Sequence, residues 1–137
     1  MLYYSYNRMN KSNNMLAKSF GEFFRLKRIK LGYTLRSFCT QFGYDPGNIS
    51  RLERSVAIPS LDNEILSGYS RALQIKQDSE EQVLFYDLAH SAKGQIPNDI
   101  RNNKQVSTML PAFFRTVRNK QLNEEKLKKL MELLENA

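Results

Sequence analysis

The sequence has no tryptophan, one cysteine, one histidine, four prolines and six glycines among its 137 residues. A lone thiol, Cys39, excludes an intramolecular disulfide and a four-thiolate zinc site, and His90 is the single imidazole that could reach a metal. No run approaches the ~20 consecutive apolar residues that a membrane-spanning helix requires, and the opening MLYYSYNRMN has no apolar core of a secretory signal. These absences predict a protein of the reducing cytoplasm with no membrane span and no metal centre. Also missing are a paired histidine and carboxylate, a phosphate-cradling glycine loop and a nucleophile elbow. No enzymatic activity and no cofactor are therefore expected.

What is present is positive charge. The chain carries 21 Lys and Arg against 14 Asp and Glu, a formal net charge of +7 and a pI near 9.6, which favours a polyanionic partner. Residues 1–74 hold 11 basic and 5 acidic side chains, whereas residues 75–137 hold 10 and 9, so the anion-binding work belongs to the first half. At 41% hydrophobic residues the chain is long enough for one compact domain, or a small domain with an appendage. Helix start and stop signals recur along it, without alternating strand patterns or repeats, so the expected fold class is all-α.

Residues 1–18, rich in Asn, Ser, Lys and Tyr and without periodicity, are expected to be a mobile arm, with Met9 and Met15 as possible later starts. Tyr3, Tyr4 and Tyr6 could stack on bases or reach a groove, but a disordered start is the commoner explanation of such a segment. Ser19-Phe20-Gly21-Glu22 has the form of a capping box, which starts helix one near Phe20. Phe20, Phe24 and Leu31 share its apolar face, Arg25, Lys27, Arg28 and Lys30 crowd the rest, and Gly32 stops it. Helix two starts at Thr34, carries Leu35, Phe38, Cys39 and Phe42 inward, and ends at Gly43. Asp45 and Pro46 supply a cap and a preset first position for helix three, which runs to about Arg54 with Ile49 and Leu52 inward. Two short helices about a tight glycine turn make a helix-turn-helix. Ser60 is expected to cap helix four, with Leu61, Ile65, Tyr69, Ala72 and Leu73 on its stripe. Ser79 to Gln82, a second capping box, opens helix five through Val83, Leu84 and Leu88.

From Gln95 to Ile100 the sequence reads as a turn, followed by a helical stretch to Leu110, a new helix starting at Pro111, and a final helix capped by Asn123. Ala112, Phe113, Phe114 and Val117 cluster, and Leu127, Leu130, Met131 and Leu134 recur at helical spacing. Such stripes are more often core or dimer contact than a cofactor pocket. The expected organisation is an arm over 1–18, a five-helix DNA-binding domain over 19–94 and a helical extension over 95–137 that dimerises or binds a partner.

The stretch from Phe24 to Pro59, FRLKRIKLGYTLRSFCTQFGYDPGNISRLERSVAIP, resembles the helix-turn-helix of the XRE family, the lambda-repressor-like group that includes phage repressors and bacterial antitoxins. The resemblance covers residues 19 to about 75. It rests on the spacing of Arg28 and Gly32, the helix start at Thr34, and the segment Ile49-Ser50-Arg51-Leu52-Glu53-Arg54. It implies a five-helix domain whose third helix enters the DNA major groove. Relatives place a glutamine after the helix-two threonine and polar base readers at the start of helix three. Here Leu35, Pro46 and Gly47 stand there, which shifts the phosphate contact to Arg36 or to backbone amides and leaves Gly47 to allow close backbone approach.

The base-contacting residues that follow are Asn48 and Arg51, suited to adenine and guanine respectively, with Pro46 and Gly47 beside them. Thr34, Arg36, Lys30, Ser50 and Arg54 are assigned to phosphate, helped by the positive end of helix three. The family pattern implies a structural ion pair between Arg28 and Glu53. The function so implied is a sequence-specific transcriptional regulator, a repressor binding double-stranded DNA at a palindromic operator as a homodimer. The alternative is an antitoxin-like protein that neutralises a protein partner, such as a toxin, through its C-terminal helices and autoregulates its operon. A nonspecific nucleic-acid binder is a third reading. Cys39 is expected to be a buried thiol and His90 a surface or capping histidine.

Overall fold

The computed structural model describes residues 18–136, so the expected arm, apart from Lys18, and its tyrosines lie outside the described residues. Among them the chain is all-helical, with eight helices and no strand. It divides into two compact units, meeting in sequence at Gln95 and Ile96.

The first unit contains α1 (Phe20–Lys30), α2 (Leu35–Phe42), α3 (Pro46–Glu53), α4 (Asn63–Ala72) and α5 (Glu80–Ala92). Ser19 caps α1 by accepting from the Glu22 amide, while the Glu22 carboxylate accepts from the Lys18 amide, one residue before the position a capping box predicts. Thr34 caps α2 and Asp45 caps α3, each taking the amide three residues on. Gly43 closes α2 at φ 75°, in the left-handed region where a side chain would be strained. Ser79 caps α5, and Gln82 reaches back to the Asp78 amide in the same offset way as Glu22.

Helix α1 packs on α3 and α5, α2 on α3, and α4 on α5. Phe20, Phe24, Phe38, Ile49, Leu66, Leu73 and Phe85 are fully buried between them. Phe24 stands edge-on to Phe38 and Tyr69, with centroids 5.6 and 5.4 Å apart, the arrangement that aromatic quadrupoles favour. Phe85 closes the far side against Phe20 and Phe23.

Three apolar faces depart from the pattern read along the chain. Leu31 ends α1 only half-buried, and Phe23 joins Phe20 and Phe24 in the core instead. Helix α4 starts two residues later than expected, because the Asp62 carboxylate takes the Glu64 and Ile65 amides while Ser60 is spent on the Asp62 amide. The later start carries Leu66, Ser70 and Leu73 inward at i, i+4 and i+7 and leaves Ile65 exposed. In α5 the deep positions are Phe85 and Ala89, with Leu84 and Leu88 at the margin of the core and Val83 exposed.

The second unit contains α6 (Asn98–Arg101), α7 (Lys104–Lys120) and α8 (Glu124–Glu135). Helix α6 is a single turn that begins within the segment 95–100 expected to be a plain turn and ends one residue beyond it. Pro111 does not start a helix but lies inside α7, whose beginning is fixed upstream by the Asn103 side chain accepting from the Gln105 and Val106 amides. A proline in that position withholds one donor from the helix without setting its register. Asn123 caps α8 by accepting from the Lys126 amide. No described residue from 96 to 136 is buried, and Met109, Phe113, Phe114, Leu127, Leu130, Leu133 and Leu134 are exposed. No described helix is long and apolar enough to cross a membrane.

Candidate nucleic-acid interface

The exposed surface of α2 and α3 is built on a buried ion pair. Arg28 of α1 donates from Nε to Glu53 Oε2 at 2.7 Å and from Nη2 to Oε1 at 2.8 Å, a two-pronged match of guanidinium to carboxylate. The remaining Nη1 donates to the Tyr33 carbonyl at 2.8 Å, so the same arginine fixes the turn into α2. Both side chains are almost fully removed from solvent, at 9% and 6% exposure for Arg28 and Glu53. The hydrogen bonds to Glu53 push the Arg28 pKa up against the opposing effect of burial. At the other end of the contact, Gly21 lets α1 approach the end of α3. A Cβ there would run into the Leu52 carbonyl and sit 2.8 Å from that of Glu53. Nothing in the residue pattern around the capping box singled out this glycine, since close backbone approach leaves no local signal.

The basic face of α1 is partly consumed by such contacts. Lys27 Nζ lies 2.8 Å from Glu81 on α5, and Arg28 is buried, so Arg25 and Lys30 remain as the exposed cations of that helix. Arg36 is exposed on α2 and makes no hydrogen bond or ion pair among the described residues. Leu35 beside it is turned into the margin of the core. Thr34 is exposed, but its hydroxyl oxygen takes the Ser37 amide and its proton goes to Ser37 Oγ at 3.0 Å.

On α3, Pro46, Gly47, Asn48, Arg51 and Arg54 are exposed and Ser50 is half-buried. Asn48 and Arg51 stand one turn apart and are joined, Arg51 Nη2 donating to Asn48 Oδ1. The bond engages the Asn48 side-chain oxygen, while the Asn48 side-chain amide donors make no hydrogen bond among the described residues. Arg54 folds back on its own helix, with Nε 3.3 Å from both the Ser50 carbonyl and its hydroxyl. Besides Arg51 on α3 and Arg54 at its end, the exposed cations of the helices packed against it are Arg25 and Lys30 on α1 and Arg36 on α2.

The start of α3 is a poorer phosphate site than its dipole suggests. Pro46 has no N–H, the Asn48 amide is bonded to Asp45 Oδ2 at 2.9 Å, and the Asp45 carboxylate itself repels an anion. Only the Gly47 amide is left in the first turn. An added Cβ at Gly47 would meet Asp45 Oδ2, the oxygen that caps α3, at 3.1 Å, closer than an ordinary contact, and Arg51 Nη1 at an ordinary 3.6 Å. The glycine therefore leaves room for the cap as well as for a close approach from outside.

Cys39 is 2% exposed, and burial pushes its thiol pKa up, which makes it an unreactive core residue. His90 Nδ1 lies 2.8 Å from the Tyr86 carbonyl, one turn back in α5, so that nitrogen donates to the helix. No group of three or more potential metal-ligating side chains occurs among the described residues. Comparison with family models, with curated proteins and with solved structures found no match for the chain.

Proposed function

We propose that the chain is a sequence-specific DNA-binding regulator that uses α3 as its recognition helix and acts as a repressor on a palindromic operator. The observation that carries this reading is the composition of one surface. The outer side of α3 presents Gly47, Asn48 and Arg51 to solvent, the flanking cations are Arg36, Lys30 and Arg54, and the inner side is locked to α1 by the Arg28–Glu53 pair. A rigidly held helix with a polar outer turn suits a major groove ~12 Å wide. Asn48 and Arg51 read bases; Arg36, Lys30 and Arg54 hold phosphate; Pro46 and Gly47 let the backbone come close; Thr34 and Ser50 lie at the edges of the contact. The family reading of the lambda-repressor-like type belongs with this proposal, as does a homodimer whose half-sites lie about one helical turn, ~34 Å, apart.

Selection of bound duplexes from a random pool tests it. A two-fold symmetric motif, with preference lost at one base position per half-site in each of the folded Asn48→Ala and Arg51→Ala proteins, is the expected result. Binding with a steep salt dependence and no enriched motif would leave only a nonspecific nucleic-acid binder.

A second reading has its own observation. Among the described residues the unit from Ile96 onward buries none, although α7 and α8 carry Phe113, Phe114, Leu127, Leu130 and Leu134. An extension that neutralises a partner protein, with DNA binding as autoregulation, would use that surface. Loss of a co-purifying protein on deleting residues 101–137 would favour it.

A further inference from the structure

We infer that a pocket in the first unit, between α4 and α5, is a binding site for a small organic oxyanion, a carboxylate or a phosphate monoester. The pocket encloses about 320 Å³, the low end of the range for small-ligand sites. Its walls are Ser67, Ser70 and Arg71 from α4, Gln77 from the connecting loop, and Gln82 and Tyr86 from α5. None of the residues lining it is acidic.

The donors converge and are underused. Ser70 is 2% exposed and lies on the pocket wall, yet its hydroxyl proton reaches no acceptor among the described residues. Its one bond is a long one, 3.5 Å, received from Gln82 Nε2. Gln82 cannot turn that amide away, because its Oε1 is fixed by the Asp78 N–H at 2.9 Å, and so its nitrogen must face Ser70 and the cavity. Arg71 makes only a 3.4 Å contact from Nη1 to Ser67 Oγ and has no carboxylate partner among the described residues. A buried hydroxyl without an acceptor, an amide N–H held toward it and an unpaired guanidinium form a donor set that an anionic oxygen would complete. The site lies on helices the recognition surface does not use, so the inference stands apart from the proposed function.

The test follows the Gln82 side-chain amide of the full chain by NMR during titration with sodium benzoate, phenyl phosphate or inorganic phosphate, at constant ionic strength, with chloride as the control. Saturable shifts with at least one of these anions are expected, weakened tenfold or more in Arg71→Gln and several-fold in Ser70→Ala. Lys93→Gln, which removes the same charge outside the pocket, should bind as the parent does. Benzoate alone would mark a carboxylate site and phenyl phosphate alone a phosphate site. Shifts that grow linearly with every salt, that persist in Arg71→Gln, or that come from duplex DNA and none of the small anions would overturn the inference. Circular dichroism confirms that each variant is folded before it is titrated.

Discussion

Arg28 and Glu53 share two hydrogen bonds of 2.7 and 2.8 Å across the contact between α1 and α3, and this contact sets how α3 is presented. The pair is worth little compared with two apolar residues of similar shape, since both ions are desolvated, but each partner alone is costly. Arg28→Met or Glu53→Leu should each destabilise the protein by about 3–5 kcal/mol, because each leaves one charge buried without its counter-ion. The double substitution should cost far less than the two together. Urea unfolding of the four proteins gives the coupling, and additive losses would show that the pair does not act as a unit.

Two glycines of the motif should respond to very different degrees. Gly21→Ala forces a methyl group onto the backbone carbonyls of Leu52 and Glu53, which cannot rotate away, so a loss of about 1–3 kcal/mol from overpacking is expected. Gly47→Ala presses on Asp45 Oδ2, the oxygen that caps α3, and this offsets the gain of about 0.5–1 kcal/mol from removing a helical glycine, so stability should stay within about 0.5 kcal/mol of the parent. If close backbone approach at Gly47 serves DNA binding, the Gly47→Ala protein will bind its operator more weakly although it is folded as the parent is. Thermal melts and binding titrations on the same two proteins separate these effects.

The pattern of caps and apolar spacing made α1, α2, α3, α5 and α8 readable, because each start depends on a side chain within three residues of the amide it takes. Where two candidate caps competed, proximity was not enough: Asp62 displaced Ser60 at α4, and Asn103 set the register that Pro111 was expected to break. The surface of α3 was legible for the same local reason. Its internal economy was not, since the bond between Arg51 and Asn48, the closing of the helix start by Asp45, and the use of Lys27 by Glu81 depend on rotamers and tertiary neighbours.

Alkaline pH should loosen the first unit. Burial raises the phenol pKa of Tyr44, with the Arg71 charge partly opposing it, and raises that of Tyr69, with Tyr44 adding to the effect. Their rings lie 5.1 Å apart against the core. A folded-state pKa above the unfolded one means that unfolding releases protons at high pH. The stabilisation is therefore complete below the ordinary tyrosine value of about 10 and is lost as pH rises through the folded-state value. Cys39, raised by burial as well, adds a decline that begins lower, near the ordinary thiol value of about 8.5. Denaturant midpoints measured from pH 7 to 11 should fall in that window, and Tyr69→Phe should flatten the upper part of the curve. An unchanged slope in that variant would assign the loss to other groups.

Specific and electrostatic contributions to DNA binding should separate by residue. Arg36, Lys30 and Arg54 are exposed cations without an ion pair among the described residues, so replacing any one with Gln should weaken selected and random duplexes alike. For every phosphate that such a replacement leaves unneutralised, the slope of log affinity against log salt should become shallower by about 0.9. Asn48 behaves differently because Arg51 already occupies its Oδ1 in the free protein. Pairing with adenine requires that bond to be shared or broken, so Asn48→Ala should lose discrimination at one base position, by about 1–3 kcal/mol, with little change in salt slope. Arg51→Ala removes its own base contact but also releases Asn48. Its preference should therefore collapse at the position Arg51 reads and hold, or sharpen, at the position Asn48 reads. Equal losses at both positions would mean that the two side chains recognise DNA only as the bonded pair seen in the free protein.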